Sequence, residues 1–286
     1  MEKMKNSLNF FKQDLNNFRK NNIYPLEAIN LVENSKDQII PILNSWNNAL
    51  NKVKHAFNLD DSNLENLPTR LHQITFENTK NDFHQKNKSK IVIGIAGPGA
   101  CGKGTLVESL NLPKVVNTTT RPARSYEIDQ VHYHFLNDLS FQNMIDNGDF
   151  LSVTNRPGRG LYGIEKNSLS NILNKSKVAI IEENPETLFK IQQSVQENNP
   201  SVYFSINYIL PPQPIVLHLA TRLAKRSLES NGDFLNSINS TLGQRQIDEF
   251  ESLADIAKNG GNVCFFVINN NVDNIASIIK DTYKIE

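Results

Sequence analysis

The chain has 286 residues, of which 38% are hydrophobic and 21% are charged, and 30 Lys and Arg residues balance 30 Asp and Glu residues. A chain of this length can bury a substantial core, and with 13 Gly and 12 Pro its composition excludes collagen-like and other fibrous classes. Because the net charge is zero, no global field attracts nucleic acid or an anionic membrane, and we expect neither as a partner. Phosphate binding must therefore come from local groups of residues.

The two cysteines, Cys101 and Cys264, lie far apart in the sequence and outside any paired spacing, which indicates neither a disulfide framework nor a zinc site. No apolar run follows the charged N-terminus, and the densest apolar stretch, residues 263–268, is much shorter than the roughly 18 residues that a membrane span needs. We therefore expect a soluble protein of the reducing cytoplasm, without a membrane anchor.

Residues 1–88 are predicted to form three or four helices, because large apolar residues recur at helical spacing between positions 8–18 and 39–57. The polar run at 78–88 is interpreted as a linker, so a domain boundary is expected near residue 88. Residues 1–88 would then be a helical region of unknown role, and residues 89–286 a second domain. The helices could serve as a homodimer surface, a partner-binding bundle or a packing cap.

From residue 90 onward, apolar runs typical of strands alternate with amphipathic helical runs, which is the pattern of a parallel sheet with crossover helices. The predicted core strands are 91–96, 114–119, 177–182, 202–210 and 263–268, and shorter strands are predicted at 131–136 and 149–154. The predicted helices are 103–110, 165–174, 185–197, 214–229, 236–257 and 271–283. This part of the chain is expected to be an α/β domain.

A glycine-rich turn lies between the predicted strand 91–96 and the predicted helix 103–110. Glycines allow the backbone to wrap around phosphate oxygens, and a helix N-terminus adds favourable partial charge. The residues predicted to bind nucleotide phosphates are Gly97, Gly99, Ala100, Cys101, Gly102, Lys103, Gly104 and Thr105. Lys103 supplies an ammonium group for the β- and γ-phosphates. Because Gly104 takes the place of the usual Ser or Thr, the Thr105 hydroxyl is the candidate contact for phosphate or Mg²⁺.

A second group of anion-binding residues is predicted further along the chain. Arg121 and Arg124 stand on either side of Pro122, which favours a loop, and guanidinium groups suit bidentate phosphate recognition. Tyr133 and Tyr162 can each give a phenolic hydrogen bond to the same anion. Together with the glycine-rich turn, these residues predict a site that holds two phosphorylated molecules.

The order of these segments resembles that of guanylate kinases over roughly residues 90–286. The segments that carry the resemblance are 97–105, 119–127, 133–135, 147–150, 162–163, 211–212 and 222–226. The resemblance implies a P-loop NTPase-type fold with helices on both faces of a parallel sheet, a monophosphate-binding part and a lid. It also implies transfer of the γ-phosphoryl group of ATP to a nucleoside monophosphate, with Mg²⁺. Gly104-Thr105 is similar instead to the Gly-Lys-Gly-Thr loops of adenylate and UMP/CMP kinases.

The resemblance further implies roles for individual residues. Lys103 would hold the donor phosphates, and Arg222 and Arg226 would reach the transferring group from the lid. Arg245 would replace a lid arginine whose position is occupied by Thr241. The residues expected around the acceptor are Asn117, Arg121, Arg124, Glu127, Tyr133, Ser152, Tyr162, Gly163 and Glu182.

Recognition of guanine is where the sequence departs from the family. The family uses a serine, a glutamate and a serine, and the corresponding residues here are Asn117, Ser152 and Ile164. Neither Ser152 nor Ile164 can replace the glutamate carboxylate, which accepts hydrogen bonds from both N1–H and the exocyclic amine of guanine. Asp149 is an alternative hydrogen-bond acceptor for the guanine base if the alignment shifts across the 155–160 insertion. The identity of the acceptor base is therefore open.

The preferred hypothesis is an ATP-dependent kinase with GMP as the first expected acceptor. One alternative is a kinase of another nucleoside monophosphate or of a ribose bisphosphate, since residues 160–164 are similar to a stretch of ribose bisphosphate phosphokinases. Another is an inactive guanylate kinase-like scaffold or binding module. Glu183, like Glu182, could have either a structural or a functional role. The histidines His132, His134 and His218 are interpreted as packing or surface residues.

Overall fold

The computed structural model describes residues 2–59, 66–124, 127–156, 158, 160–268 and 271–285, with residues 2–6 described by their backbone alone. The helices are α1 (Glu2–Lys20), α2 (Leu26–Asn34), α3 (Lys36–Ala56), α4 (Leu67–Lys86), α5 (Lys103–Leu110), α6 (Asp138–Asp146), α7 (Lys166–Lys175), α8 (Pro185–Asn198), α9 (Ile215–Ser230), α10 (Phe234–Leu242), α11 (Gln244–Lys258) and α12 (Val272–Tyr283). The strands are β1 (Lys90–Ala96), β2 (Thr118–Thr119), β3 (His134–Phe135), β4 (Phe150–Arg156), β5 (Gly160–Glu165), β6 (Val178–Glu182), β7 (Val202–Leu210) and β8 (Val263–Val267).

The central sheet is parallel and has the strand order β6-β1-β7-β8. Every residue of β7 is buried, as is typical of a strand covered by helices on both faces. Apart from the predicted helix 236–257, the helices predicted after residue 90 agree with the observed ones to within one residue at each end. The predicted α/β class and parallel sheet are confirmed.

A smaller mixed sheet has the order β3-β2-β5-β4, in which β4 and β5 form an antiparallel hairpin. The predicted core strand at 114–119 is wrong for most of its length. Lys114 makes one bridge to Ile180 beside the central sheet, and the chain then leaves for the smaller sheet, where only 118–119 form a strand. Strand β5 was not predicted, because Gly160 and Gly163 weaken the strand pattern of its sequence.

Helix α4 covers the edge of the central sheet, which contradicts the predicted linker at 78–88. Two polar residues of this helix, Thr75 and Thr79, are buried against the sheet edge instead of facing solvent. The Thr75 hydroxyl accepts a hydrogen bond from the Phe265 amide at 2.9 Å, and the Thr79 hydroxyl donates to Asn262 Oδ1 at 3.1 Å. Edge strands expose unpaired backbone groups, so a helix that covers one benefits from polar side chains there.

The helix predicted at 236–257 is two helices, α10 and α11, which meet at Gly243. A Cβ atom on Gly243 would lie 2.3 Å from the carbonyl oxygen of Asn239, so a larger residue cannot occupy this corner without displacing the backbone. The corner starts α11 in a new direction, and this helix carries Arg245 in its first turn.

Helices α1 to α4 pack on the rest of the molecule through a continuous hydrophobic core. Trp46 is fully buried, its ring lies 5.5 Å from that of Phe250, and its indole N–H donates to the carbonyl oxygen of Leu242 at 2.9 Å. The predicted helical character of this region is confirmed, whereas the division of the chain into domains at residue 88 stays a prediction. Within the described part of the chain, no helix combines the length and apolar character required to span a bilayer.

Candidate active site

The glycine-rich loop connects β1 to α5 and has the backbone that wrapping around an anion requires. Gly97 and Gly102 have φ angles of 147° and 107°, and Ala100 has a φ of 61°. A Cβ atom on Gly97 would lie 2.5 Å from the carbonyl oxygen of Ile209, so only glycine fits. Helix α5 begins directly after this loop, and its N-terminal amides add positive potential at the loop.

Lys103 folds back over the loop that precedes it. Its ammonium group donates to the carbonyl oxygens of Gly97 and Pro98 at 2.8 and 3.0 Å. Among the ion pairs of the described residues, none involves Lys103. Within the described ranges, the loop therefore carries a positive charge that forms no ion pair with a carboxylate, which favours the binding of a phosphate group.

Cys101 is packed beneath the loop and is fully buried. Burial raises the pKa of its thiol, against the opposing influence of the Lys103 and Arg222 charges. A buried thiol held in its protonated form serves as a small packing residue and not as a nucleophile.

A cavity of about 430 Å³ opens on one side of the loop. Its lining residues from the predicted set are Gly97, Gly99, Lys103, Asn117, Glu127, Tyr133, Glu182 and Arg245. Lys114, Arg156, Glu183, Gln246 and Glu249 also line it. We call this space the acceptor cavity, because it lies between the loop and the arginine-bearing segment after β2.

Arg121, Tyr162 and Glu127 form one hydrogen-bonded group beside the acceptor cavity. Arg121 makes a bidentate pair with Glu127, at 2.8 Å for both bonds, and its Nε donates to the Tyr162 hydroxyl at 3.3 Å. The guanidinium also lies 5.2 Å from the centre of the Tyr133 ring. The hydrogen bonds from Arg121 lower the pKa of Glu127 to about 2. The structure thus brings together residues that the sequence predicted to hold an acceptor phosphate.

Arg124 occupies a more open position at the same group. Its backbone amide donates to Glu127 at 2.8 Å, but its guanidinium is 3.9 Å from the carboxylate and its side chain is 57% exposed. The Arg121 side chain, by contrast, is only 13% exposed. Arg124 is therefore the more accessible of the two arginines for a ligand.

Arg156, at the end of β4, forms an ion pair with Glu183, which follows β6, and this pair joins the two sheets at the acceptor cavity. The sequence did not predict a role for Arg156. The Arg156 guanidinium lies 4.3 Å from the centre of the Tyr162 ring and 3.2 Å from a Glu183 oxygen. Asn117 donates to Glu183 at 2.9 Å. Burial raises the pKa of Glu183, an effect that the Arg156 charge opposes. Side chains alternate along β4, which places Arg156 on the face of Ser152, but no local pattern in the sequence indicates Glu183 as its partner.

Five of the predicted acceptor residues do not occur among the described residues that line the acceptor cavity, namely Arg121, Arg124, Ser152, Tyr162 and Gly163. The first two and Tyr162 lie beside it, as described above. Ser152 and Gly163 have no such place in the structure. A Cβ atom on Gly163 would lie 2.5 Å from the Phe150 ring, so this glycine makes room for the stacked rings of Phe150 and Phe141. Their roles in acceptor binding stay predictions.

Glu182 and Glu249 complete the acidic lining of the acceptor cavity, and each is paired with a cation. Glu182 accepts from Lys114 at 2.9 Å, and Glu249 accepts from Arg245 at 3.0 Å. Arg245 also lines the acceptor cavity.

A second cavity, of about 320 Å³, is lined by other residues of the same loop. Its lining residues include Ala100, Gly102, Thr105, Arg222, Lys225 and Arg226. Arg222 donates to the carbonyl oxygens of Ala100 and Cys101 at 3.3 and 3.1 Å, so its guanidinium is attached to the loop itself. We call this space the donor cavity, because its cations suit a polyphosphate.

A parallel sheet covered by helices, with a glycine-rich loop between β1 and α5, defines an α/β protein of the P-loop NTPase type. The family model for guanylate kinase matches residues 88–282, which is more than half of the chain. The chain therefore belongs to the guanylate kinase family, and the predicted family is confirmed.

Individual relatives are distant in sequence. A guanylate kinase from Clostridium perfringens is 31% identical over 155 residues, which cover 52% of this chain and 67% of the relative. A guanylate kinase from Bartonella henselae is 24% identical over 215 residues, which cover 74% and 88%. A crystal structure of guanylate kinase from Anaplasma phagocytophilum aligns with a TM-score of 0.44 and 17% identity, over 69% of this chain and 86% of that one.

Proposed function

We propose that the protein transfers the γ-phosphoryl group of ATP to the phosphate of a nucleoside monophosphate, with GMP as the first expected acceptor. The observation that carries this proposal is the arrangement around Lys103. An ammonium group that forms no ion pair with a carboxylate among the described residues lies on a loop that lines two cavities, and each cavity contains arginine side chains.

The reaction needs positioning more than acid–base chemistry. A phosphate oxygen of the acceptor attacks the γ-phosphorus, the bond to the β–γ bridging oxygen breaks, and ADP leaves. The attacking oxygen is already anionic, so no residue has to remove a proton from it. Charge accumulates on the transferring group, and fixed cations stabilise that charge. Lys103, Arg222, Arg226 and Arg245 are the residues that we assign to this task.

The acceptor phosphate is assigned to the group beside the acceptor cavity. Arg124 and the hydroxyls of Tyr133 and Tyr162 would bind its oxygens directly. Glu127 holds Arg121 in place through the bidentate pair, which makes Glu127 a positioning residue. Asn117, Ser152, Gly163 and Glu182 keep the acceptor roles that the family resemblance implies.

Mg²⁺ fits this site only together with the phosphates of ATP. In the described part of the chain, no three His, Cys, Asp or Glu side chains converge as a metal-binding cluster. Mg²⁺ in kinases is held largely by substrate phosphates and water, and it neutralises developing charge on the β- and γ-phosphates when bound. Thr105 is exposed and lines the donor cavity, and its hydroxyl would complete the coordination of Mg²⁺.

An acceptor other than GMP is the second candidate, favoured by the residues at the guanine-reading positions. Ile164 is 1% exposed and apolar, and Ser152 offers a hydroxyl where the family has a carboxylate. Sites that recognise a base through buried hydrogen bonds discriminate by about 10⁴ to 10⁵, and losing one partner removes much of that preference. Another nucleoside monophosphate or a ribose bisphosphate would fit these substitutions.

ADP release from ATP should be measured with GMP, dGMP, AMP, CMP, UMP and ribose 1,5-bisphosphate in parallel. We expect turnover with at least one acceptor, and the Lys103→Met variant should lose it, by about 10³-fold or more, because the transition-state charge loses its nearest cation. Circular dichroism of the variant provides the control for folding. ATP binding without turnover in any arm would support the inactive binding module instead.

A further inference from the structure

Arg156 is the last residue of β4, and the hairpin with β5 brings its side chain over Tyr162. Its partner across the hairpin is Gly160, which has no side chain, and Tyr162 is the diagonal neighbour on the same face of the sheet. The guanidinium carbon lies 4.3 Å from the centre of the Tyr162 ring. Stacking on an aromatic face stabilises a guanidinium and restricts its orientation.

A buried carboxylate holds the same guanidinium from a second direction. Nη2 of Arg156 donates to the two carboxylate oxygens of Glu183 at 3.3 and 3.2 Å. The Glu183 side chain is only 4% exposed, and it also accepts hydrogen bonds from Asn117 and from the backbone amide of Asn184. Arg156 is therefore oriented before any ligand arrives.

Most hydrogen-bond donors of Arg156 stay available. A guanidinium has five N–H groups. Across the described residues, the hydrogen bonds of Arg156 come from Nη2 alone and go to Glu183, so Nε and Nη1 have no partner there. The side chain is 32% exposed and lines the acceptor cavity. An oriented guanidinium with unused donors binds an anion with little loss of conformational freedom.

The position of Tyr162 indicates which anion this is. Tyr162 contacts two guanidinium groups, because Arg156 stacks on its ring and Arg121 donates to its hydroxyl at 3.3 Å. The ring of Tyr133, which lines the acceptor cavity, lies 6.0 Å from the Tyr162 ring. A phosphate that accepts hydrogen bonds from these two hydroxyls is within reach of Arg156 as well.

We propose that Arg156 is a further acceptor-binding residue, which donates hydrogen bonds from Nε and Nη1 to the phosphate of the acceptor. This inference rests on the proposed function, from which it takes the class of ligand, a phosphate monoester. Glu183 is then a positioning residue for Arg156, as Glu127 is for Arg121. The contact does not depend on which base the acceptor carries.

The test measures binding of the acceptor without ATP, so that it does not require turnover. Removal of Arg156 alone would leave a buried, unpaired carboxylate, which is strongly destabilising. The comparison is therefore between Glu183→Gln and the double variant Arg156→Met/Glu183→Gln, in which methionine still packs against Tyr162. Isothermal titration calorimetry with GMP, AMP, CMP, UMP and ribose 1,5-bisphosphate gives the dissociation constants.

For every probe that the wild-type protein binds, the double variant should bind about 10- to 100-fold more weakly than Glu183→Gln, because a charge-assisted contact with phosphate is lost. Arg19→Met/Glu33→Gln is the matched control, since it removes an ion pair between α1 and α2, outside the acceptor cavity. This control should change the dissociation constants less than twofold.

The nucleosides guanosine, adenosine, cytidine and uridine distinguish the phosphate from the base. They lack the phosphate, so Glu183→Gln and the double variant should bind them equally or not at all. An equal loss for nucleoside and nucleotide would place Arg156 at the base and overturn the phosphate contact. Equal binding of every phosphorylated probe by the two variants, or no binding of any of them by the wild-type protein, would also overturn it.

Failure of the kinase proposal has a different signature from failure of this one. If no acceptor is turned over, but the double variant loses affinity for a phosphorylated probe, phosphoryl transfer is refuted and the phosphate contact stands. If an acceptor is phosphorylated, but both variants bind it equally, only the role of Arg156 is overturned.

Discussion

At the scale of single residues, Arg121 and Arg124 carry the same charge, but their surroundings give them different roles. The partly buried bidentate pair with Glu127 fixes Arg121, whereas Arg124 is mostly exposed and lies 3.9 Å from the same carboxylate. Arginine binds phosphate through two parallel hydrogen bonds, and Arg124 can form them without breaking that bidentate pair. Arg124 is therefore the better candidate for direct contact with the acceptor.

Arg124→Ala should raise the KM for the acceptor by about 10- to 100-fold, because one charge-assisted phosphate contact is lost. The KM for ATP should stay unchanged, since ATP is assigned to the donor cavity. Initial rates at varied acceptor and varied ATP measure both constants. Arg124→Lys, which keeps the charge but not the bidentate geometry, should recover part of the loss. An effect on ATP alone would contradict the assignment.

Glu127 predicts a specific dependence of stability on pH. Its pKa is lowered from 4.5 to about 2 in the folded state, so its contribution to folding is complete above about pH 4.5 and is lost as the pH falls toward 2. Glu127→Gln removes this ionisation. The free energy of unfolding, measured by urea between pH 2 and 6, should therefore fall less steeply with acidification in the variant. Parallel pH curves for the two proteins would contradict the pairing with Arg121.

At the scale of secondary-structure elements, the corner between α10 and α11 decides where Arg245 lies. Gly243→Ala places a Cβ atom 2.3 Å from the Asn239 carbonyl oxygen, so the two helices must shift. We expect a loss of about 1–3 kcal/mol of stability, as for other overpacked sites. The acceptor KM should rise as well, because α11 forms part of the acceptor cavity.

Gly232→Ala is the comparison for this prediction, because a Cβ atom there would lie 3.1 Å from the flexible Ser230 hydroxyl and in ordinary contact, at 3.9 Å, with Ser227 Cα. Thermal unfolding and initial rates of both variants give the two readouts. If Gly243→Ala is as stable and as active as Gly232→Ala, the corner has no such role.

The sequence predicted those elements whose pattern is set by local rules. Helices α5, α8 and α9 have amphipathic spacing and short flanking loops, and their predicted bounds agree with the structure. Helix α4 was mistaken for a linker after residue 78, because its polar threonines serve a strand edge that only the tertiary structure supplies. The corner at Gly243 was missed because helical spacing continues across it.

The same distinction applies to the site. Lys103 and the glycines around it follow from a continuous motif, and Arg121 and Arg124 from their spacing around a proline. The Arg156–Glu183 pair joins two sheets that are distant in the sequence, so no local pattern indicates it. Its discovery required the fold of the β4–β5 hairpin.

At the scale of the whole molecule, the N-terminal helices and the kinase-like part share one hydrophobic core. Trp46 and Tyr24 connect these helices to α10 and α9, through hydrogen bonds to the Leu242 carbonyl oxygen and to the His218 ring. A homodimer or a partner bound through these helices, and a cytoplasmic location, stay predictions.

The most direct measurement follows the γ-phosphate of ATP. The protein is incubated with [γ-³²P]ATP, Mg²⁺ and each candidate acceptor, and the products are separated by chromatography. The label should appear as the new terminal phosphate of the acceptor, which is GDP when GMP is the acceptor, and it should stay on ATP in Lys103→Met. Label that stays on ATP in the wild-type protein with every acceptor, or that appears only as inorganic phosphate, would contradict phosphoryl transfer at this site.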